Sequence, residues 1–316
     1  MTTVAPSIPR HLLRVSDLEP ASLTALLDLA AEMKSRPHGF VEALRGDTLV
    51  CFFEKPSTRT RVSFAAAAER LGMMPLLLGP DELQLGRGET LEDTARTLSG
   101  YAAAIVVRTF AQETVERLAA AATAPVVNAL TDEHHPCQAL ADLLTLRERF
   151  GRLDGLRVAY VGDGNNVAAS LVEAGALSGV DVVVACPPGY EPGVPGAHVV
   201  EDPLEAAAGA DAVYTDVWVS MGEEAEDAAR RAALEPYRVD GRLLSAARAD
   251  AVFMHCLPAH RGDDAHVTAP SAGGRARRGA PLRSGGGSPP AARPPTGGRR
   301  SRPPSPRRRG ARAGSA

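Results

Sequence analysis

The sequence predicts an α/β protein of two parallel-sheet α/β domains joined by a helix, with a disordered C-terminal tail. Three observations carry this. Apolar runs of strand length alternate with helical patterns from Thr48 to Leu130, the alternation restarts at Leu156, and the composition changes abruptly at Val267. The expected domains are residues 1–146 and 147–266, followed by the tail at 267–316. A chain of 316 residues, 44% apolar and 23% charged, has room for two domains of about 150 residues each.

Residues 17–34 (DLEPASLTALLDLAAEMK) set Leu23, Leu26, Leu27 and Ala30 at helical spacing behind an acidic, Pro-containing start, which predicts an amphipathic helix with one buried stripe. Thr48–Phe53 reads as a buried strand, followed by a short loop and a helix that ends at Gly72. A strand at Met74–Leu78, a glycine-rich loop at Leu83–Gly88, a helix from Thr90 to Ser99, the strand AAIVVRT (103–109), a helix around Glu113–Ala122 and the strand PVVNAL (125–130) complete the first series. Pro136 opens a helix whose apolar face is Leu140, Leu143, Leu144 and Phe150, and this helix bridges the domains. The second series is the strand LRVAYV (156–161), a turn, a helix over Asn166–Leu177, the strand VDVVVAC (180–186), a helix in PLEAAAGA (203–210), and the strands AVYTDV (212–217) and AVFMHCLP (251–258). Breaks rich in Pro and Gly stay short until Val267, so no internal linker or fixed-period repeat is expected.

Several function classes fall away on composition. No run of about 18 apolar residues could span a bilayer, and the start MTTVAPSIPRHLL lacks the apolar segment of an export signal, so no membrane partner is expected. Cys51, Cys137, Cys186 and Cys256 are 86, 49 and 70 residues apart, without the spacing of a metal knuckle or a disulfide framework, and fit a reducing cytoplasm. The formal net charge of −3 hides a split: residues 1–266 hold 38 Asp+Glu against 23 Lys+Arg, while 267–316 hold 12 Arg and no acid. Those last 50 residues contain 9 Pro and 10 Gly, with Val267 and Leu282 as their only large apolar side chains, too little burial to offset ordering entropy. They also lack aromatics for base stacking, so no nucleic-acid partner is expected.

Five motifs carry chemistry. Lys55-Pro-Ser-Thr-Arg-Thr-Arg61 places hydroxyls, backbone N–H groups and cations at a helix start; this is either an ordinary cap with solvated arginines or an anion site, and the strand-turn-helix setting favours the anion, with phosphate as the natural guest. His134-His-Pro-Cys-Gln138 puts an imidazole and an amide on the first turn of a helix, with no further ligands at zinc spacing. Gly162-Asp-Gly-Asn-Asn166 resembles half of a dinucleotide fingerprint, but the third glycine and the ribose-binding acid are missing, so Asp163, Asn165 and Asn166 read instead as groups for a small zwitterion. Asp216-Val-Trp-Val-Ser-Met-Gly222 and His255-Cys-Leu-Pro258 lie at strand ends facing the same crevice. For Cys256 a small buried apolar role, and for Asp216 a turn-forming role, are the plain alternatives.

In that order, STRT, HPCQ, DVWVSMG and HCLP resemble the aspartate/ornithine carbamoyltransferase superfamily from about Pro9 to Thr268, and D-x-x-x-S-M-G with HCLP resembles its ornithine-using branch. The resemblance implies a first domain that binds carbamoyl phosphate and a second that binds the amino acid. It also implies a homotrimer or a multiple of trimers, and transfer of the carbamoyl group to the δ-amine of L-ornithine, giving L-citrulline and phosphate. Another acceptor amine, or carbamoyl phosphate binding with impaired turnover, is the alternative. By the same resemblance Ser57, Thr58, Arg59 and Thr60 hold the phosphate with Gln84, while Arg108, His135 and Thr60 polarise the carbamoyl oxygen, where negative charge develops on attack. Gln138 and the carbonyls of Cys256 and Leu257 hold the carbamoyl NH2. Asn166, Asp216, Ser220 and Met221 fix ornithine, and Cys256 supported by Asp216, or the leaving phosphate, takes the amine proton. No metal and no organic cofactor is implied, because carbamoyl phosphate is already activated. The chain departs from the family after HCLPAHRG, where an E-N-R segment and an apolar helix are missing, so the stripe on the first helix is expected to lose its cover. The ratio of 33 Arg to 2 Lys suggests GC-rich codons, and a frameshift near Val267 would account for an Arg/Pro/Gly/Ala/Ser tail.

Overall fold

The computed structural model describes residues 7–85, 88–219 and 227–257. The expected tail, 267–316, lies outside the described residues, as do Ser220 and Met221. Two wholly parallel sheets account for the strands. The first joins β1 (Thr48–Phe53), β2 (Met74–Leu78), β3 (Ala104–Arg108) and β4 (Val126–Leu130) in the order β2-β1-β3-β4. The second joins β5 (Arg157–Val161), β6 (Asp181–Ala185), β7 (His198–Val200), β8 (Ala212–Thr215) and β9 (Val252–His255) in the order β7-β6-β5-β8-β9. Strands such as TLVCFF and RVAYV are apolar almost throughout because helices cover both faces of such sheets.

The helices are α1 (Pro20–Ser35), α2 (Thr58–Arg70), α3 (Leu91–Ser99), α4 (Gln112–Ala121), α5 (Pro136–Phe150), α6 (Asn166–Ser178), α7 (Pro203–Ala207), α8 (Asp227–Leu234) and α9 (Gly241–Ala246). Local chemistry sets their starts: Ser57 Oγ accepts from Thr60 N at 3.1 Å, and Pro136 takes the first turn of α5. Asn165 Oδ1 accepts from the backbone N–H groups of Val167 and Ala168. The strand β7 and the helices α8 and α9 go beyond the sequence expectation, being three, eight and six residues long, too short for a periodic signature.

Two packing expectations are corrected. The buried face of α5 is centred on Ala139, Asp142, Leu143 and Leu146, whereas Leu140, Leu144 and Phe150 are only partly buried, so the stripe is rotated and includes a carboxylate. The stripe on α1 is covered in part: Leu23 and Leu27 are 1% and 2% exposed, in one core cluster with Leu143 and Leu146 of α5 and Leu171 of α6, while Leu26 and Ala30 are half-buried. Lys34–Glu148 and Arg147–Asp28 ion pairs border the contact between α1 and α5.

Candidate active site

Each sheet has one point where the chain, having moved to one side, resumes on the other, and ligand crevices in open parallel sheets form at the carboxyl ends of the strands there. In the first sheet that point lies between β1 and β3, in the second between β5 and β8. The motifs sit on these ends. STRT follows β1, Arg108 ends β3, the Gly162–Asn166 turn follows β5, Asp216 follows β8 and Cys256 follows β9.

At the first crevice Thr58 and Arg59 are exposed on the opening turn of α2, where the first N–H groups have no acceptor within the helix. Arg108 Nη1 donates to Thr60 Oγ1 at 3.4 Å, and the guanidinium is buried. Burial, with Arg59 nearby, pulls the Arg108 pKa down to about 10, so it stays charged at neutral pH. Burial first and Arg108 second push His135 down to about 3, which keeps its imidazole neutral. Among the described residues neither Arg59 nor Arg108 forms an ion pair, and the buried Arg108 Nε and His135 Nδ1 have no hydrogen-bond partner. The other motif cations are spent elsewhere: Lys55 is buried in an ion pair with Asp132, 4.6 Å from the Phe110 ring, and Arg61 lies over Phe53 at 5.7 Å.

At the second crevice Asn165 Nδ2 donates to Asp216 Oδ2 at 3.0 Å, and Tyr160 OH donates to Asn165 Oδ1 at 3.1 Å. Asn166 Nδ2 donates to the Thr131 carbonyl beyond β4, tying the two sheets' loops together. Gln138 Nε2 lies 3.5 Å from Tyr214 OH, which lies 3.1 Å from Cys256 Sγ. Burial, then Asp216 and Asp142, raise the Cys256 thiol well above its ordinary value, so it is neutral. Asp163 is engaged by Arg230, whose Nε also donates to the Trp218 carbonyl at 3.1 Å. Asp163 and Asn165 therefore do structural work, contrary to their reading as zwitterion ligands. The glycines of the turn do too: a Cβ on Gly164 would lie 2.3 Å from the Tyr190 carbonyl, so close backbone approach, not a dinucleotide, explains it.

The structure thus gathers Thr60, Arg108 and His135 with Arg59 and Ser57 in one group, and Gln138, Cys256 and Asp216 in another. Gln84 and Leu257 are exposed. Sequence reading missed Asp142, Tyr214 and Arg230; a carboxylate four residues after Gln138 inside an apolar helix face was the available signal for Asp142. Among the described residues no group of three His, Cys, Asp or Glu could hold a metal, and no helix is long and apolar enough to cross a membrane.

The fold and site define a two-sheet α/β protein with two arginines free of ion pairs, among the described residues, at the strand ends of one sheet and Asp216 at those of the other, and comparison with known proteins specifies the class. The family model described as aspartate/ornithine carbamoyltransferase, carbamoyl-P binding domain, matches residues 10–148, and the Asp/Orn binding domain model matches 154–273. The chain belongs to the aspartate/ornithine carbamoyltransferase family. It is 54% identical over 269 residues to an ornithine carbamoyltransferase of Parafrankia sp., covering 80% of this chain and 85% of that one. The crystal structure of the Thermus thermophilus ornithine carbamoyltransferase matches with a TM-score of 0.76 at 46% identity, covering 82% of this chain and 89% of that one. The Pyrococcus furiosus enzyme matches with 0.77 at 45%, covering 83% and 89%.

Proposed function

We propose that this chain transfers the carbamoyl group of carbamoyl phosphate to the δ-amine of L-ornithine, forming L-citrulline and phosphate. The observation that carries the reading is the uncompensated pair Arg59 and Arg108 beside neutral His135, in a crevice linked through Gln138 to the strand ends bearing Asp216 and Cys256. On this reading the phosphate rests on the opening turn of α2 with Ser57, Thr58, Arg59 and Thr60, approached by Gln84 from its loop. The orphaned Arg108 and His135 nitrogens support a role for these two side chains toward the carbamoyl oxygen. As the δ-nitrogen forms its bond to the carbamoyl carbon, the oxygen gains negative charge, held by Arg108, His135 and Thr60. The carbon–oxygen bond to phosphate then breaks and the phosphate leaves. Gln138 with the Cys256 and Leu257 carbonyls holds the carbamoyl NH2, while Asn166, Asp216, Ser220 and Met221 hold ornithine. A neutral, raised thiol is a poor proton acceptor, which favours the departing phosphate over Cys256 for the amine proton.

Residues 1–146 would then serve carbamoyl phosphate and 147–266 ornithine. Four free cysteines, three of them buried, suit a reducing cytoplasm. Assembly as a trimer is supported by apolar side chains left at the surface of the first domain, Val62 of α2 at 63% exposure and Met74 and Leu76 of edge strand β2 at 59% and 41%. The deciding experiment is an acceptor panel with carbamoyl phosphate. Ornithine should be carbamoylated fastest; faster turnover of aspartate, putrescine or N-acetylornithine would refute the acceptor assignment. Carbamoyl phosphate binding without citrulline at any enzyme concentration would mark a binding protein instead.

A further inference from the structure

Gln138 lies on α5 and Cys256 follows β9, yet one carboxyl lies between them. Asp142, on α5, is fully buried. Its Oδ1 accepts from Gln138 Nε2 at 3.0 Å, and its Oδ2 accepts from Tyr214 OH at 2.9 Å. Tyr214, itself buried on β8, places its hydroxyl 3.1 Å from Cys256 Sγ, and the thiol also hydrogen-bonds Asp216. Gln138, Asp142, Tyr214, Cys256 and Asp216 thus form one continuous hydrogen-bonded line across α5, β8 and the end of β9.

The donor inventory gives this line a direction. A carboxylate only accepts, so the Gln138 amide must turn its NH2 toward Asp142 and its Oε1 away. An outward Oε1 is the acceptor that a carbamoyl NH2 requires. The single phenolic proton goes to the carboxylate, so at the 3.1 Å contact the phenolic oxygen can only accept from the thiol, whose one proton it shares with Asp216. Resting on the function proposed above, we propose that Asp142 and Tyr214 are positioning residues: Asp142 sets the amide orientation of Gln138 and, through Tyr214, the place of the Cys256 thiol beside Asp216.

The groups facing Asp142 are the Gln138 amide, the phenols of Tyr214 and Tyr160, the Cys256 thiol and the Asp216 carboxyl. None is a cation, so burial raises Asp142 to about 7. Once protonated it can donate to Gln138 Oε1, and the amide loses its fixed orientation.

Asp142→Asn and Tyr214→Phe in the full chain test the proposal by two readouts that do not need turnover. The first is calorimetric binding of carbamoyl phosphate from about pH 6 to 8.5, across the titration of a carboxyl so raised. Parent affinity should fall as pH drops through about 7, whereas Asp142→Asn should bind about tenfold more weakly at the alkaline end and lose the pH dependence. The second is iodoacetamide alkylation of each cysteine at mildly alkaline pH, read peptide by peptide. With the Asp142 charge gone, Cys256 should react about tenfold faster while Cys51 and Cys186 keep their parent rates. Tyr214→Phe should change Cys256 alkylation and leave carbamoyl phosphate affinity within about twofold, because the bond from Gln138 to Asp142 survives. An unmoved Cys256 rate in either variant, or equal acceleration at all three cysteines, overturns the proposal. If Asp142→Asn does not fold, Tyr214→Phe alone decides by the same criterion. A parent that binds carbamoyl phosphate but makes no citrulline refutes the proposed reaction, while these readouts still decide the positioning role.

Discussion

Replacing His135 by glutamine should make the protein less sensitive to acid, and the structure sets the size of the effect. Burial and Arg108 lower the imidazole from 6.5 to about 3 in the folded chain. The unfolded chain therefore binds a proton on this side chain over a range in which the folded chain does not. Stability is at its full value above the unfolded pKa and is lost as pH falls through 6.5 toward 3, because the proton goes preferentially to the unfolded state. Between about pH 8 and pH 5 the loss from this one group amounts to about 2 kcal/mol, from a pKa separation spanning that window at about 1.4 kcal/mol per unit. Glutamine fills a similar space, offers an amide donor and does not titrate, so the variant should lose about 2 kcal/mol less than the parent over the same range. Urea unfolding of both chains at the two pH values gives the double difference, in which other titrating groups, the neighbouring His134 included, cancel. Parallel pH dependence in the two chains would show that the His135 imidazole is not held neutral, and the electrostatic description of the first crevice would fail with it.

Three other substitutions separate the half-sites and probe the core. Arg59→Ala should weaken carbamoyl phosphate binding in calorimetry by roughly tenfold or more while hardly changing the KM for ornithine, and Asp216→Ala should do the reverse; unchanged carbamoyl phosphate affinity in the Arg59 variant would refute the phosphate assignment. Leu146→Ala, at a fully buried position in the cluster shared by α1, α5 and α6, should cost about 2–5 kcal/mol in denaturant unfolding, and a loss under about 1 kcal/mol would mean that this contact does not help hold the fold together.

Much of the fold was legible because parallel strands buried on both faces leave continuous apolar runs and the helices between them leave a period of about 3.6. The strands from Thr48 to Leu130 and from Leu156 to Ala185 follow those runs to within a residue or two. The exceptions, β7, α8 and α9, are pieces whose order comes from neighbours more than from their own pattern. In the site, STRT and HPCQ announced themselves by residue type at strand-loop-helix junctions, where hydroxyls, N–H groups and imidazole have local reasons to stand.

What the sequence determined by itself, then, is which segments are strands and helices, which loops carry polar chemistry, and the order in which they come. Tertiary structure alone decided that the N-terminal helix α1 is buried with α5 and α6 in a core that includes strands of the second sheet, that Lys55, Asp163 and Asn165 are engaged in internal bonds while Arg61 lies over Phe53, and that Asp142 and Tyr214 lie between Gln138 and Cys256. The physical reason is the range of the information. Periodicity along the chain says that a face is apolar, not which distant face will cover it. A carboxylate's partners, and hence whether it binds a ligand, caps a helix or is held neutral, follow from strand order and burial, which join residues as far apart as Asp142 and Tyr214, 72 positions along the chain.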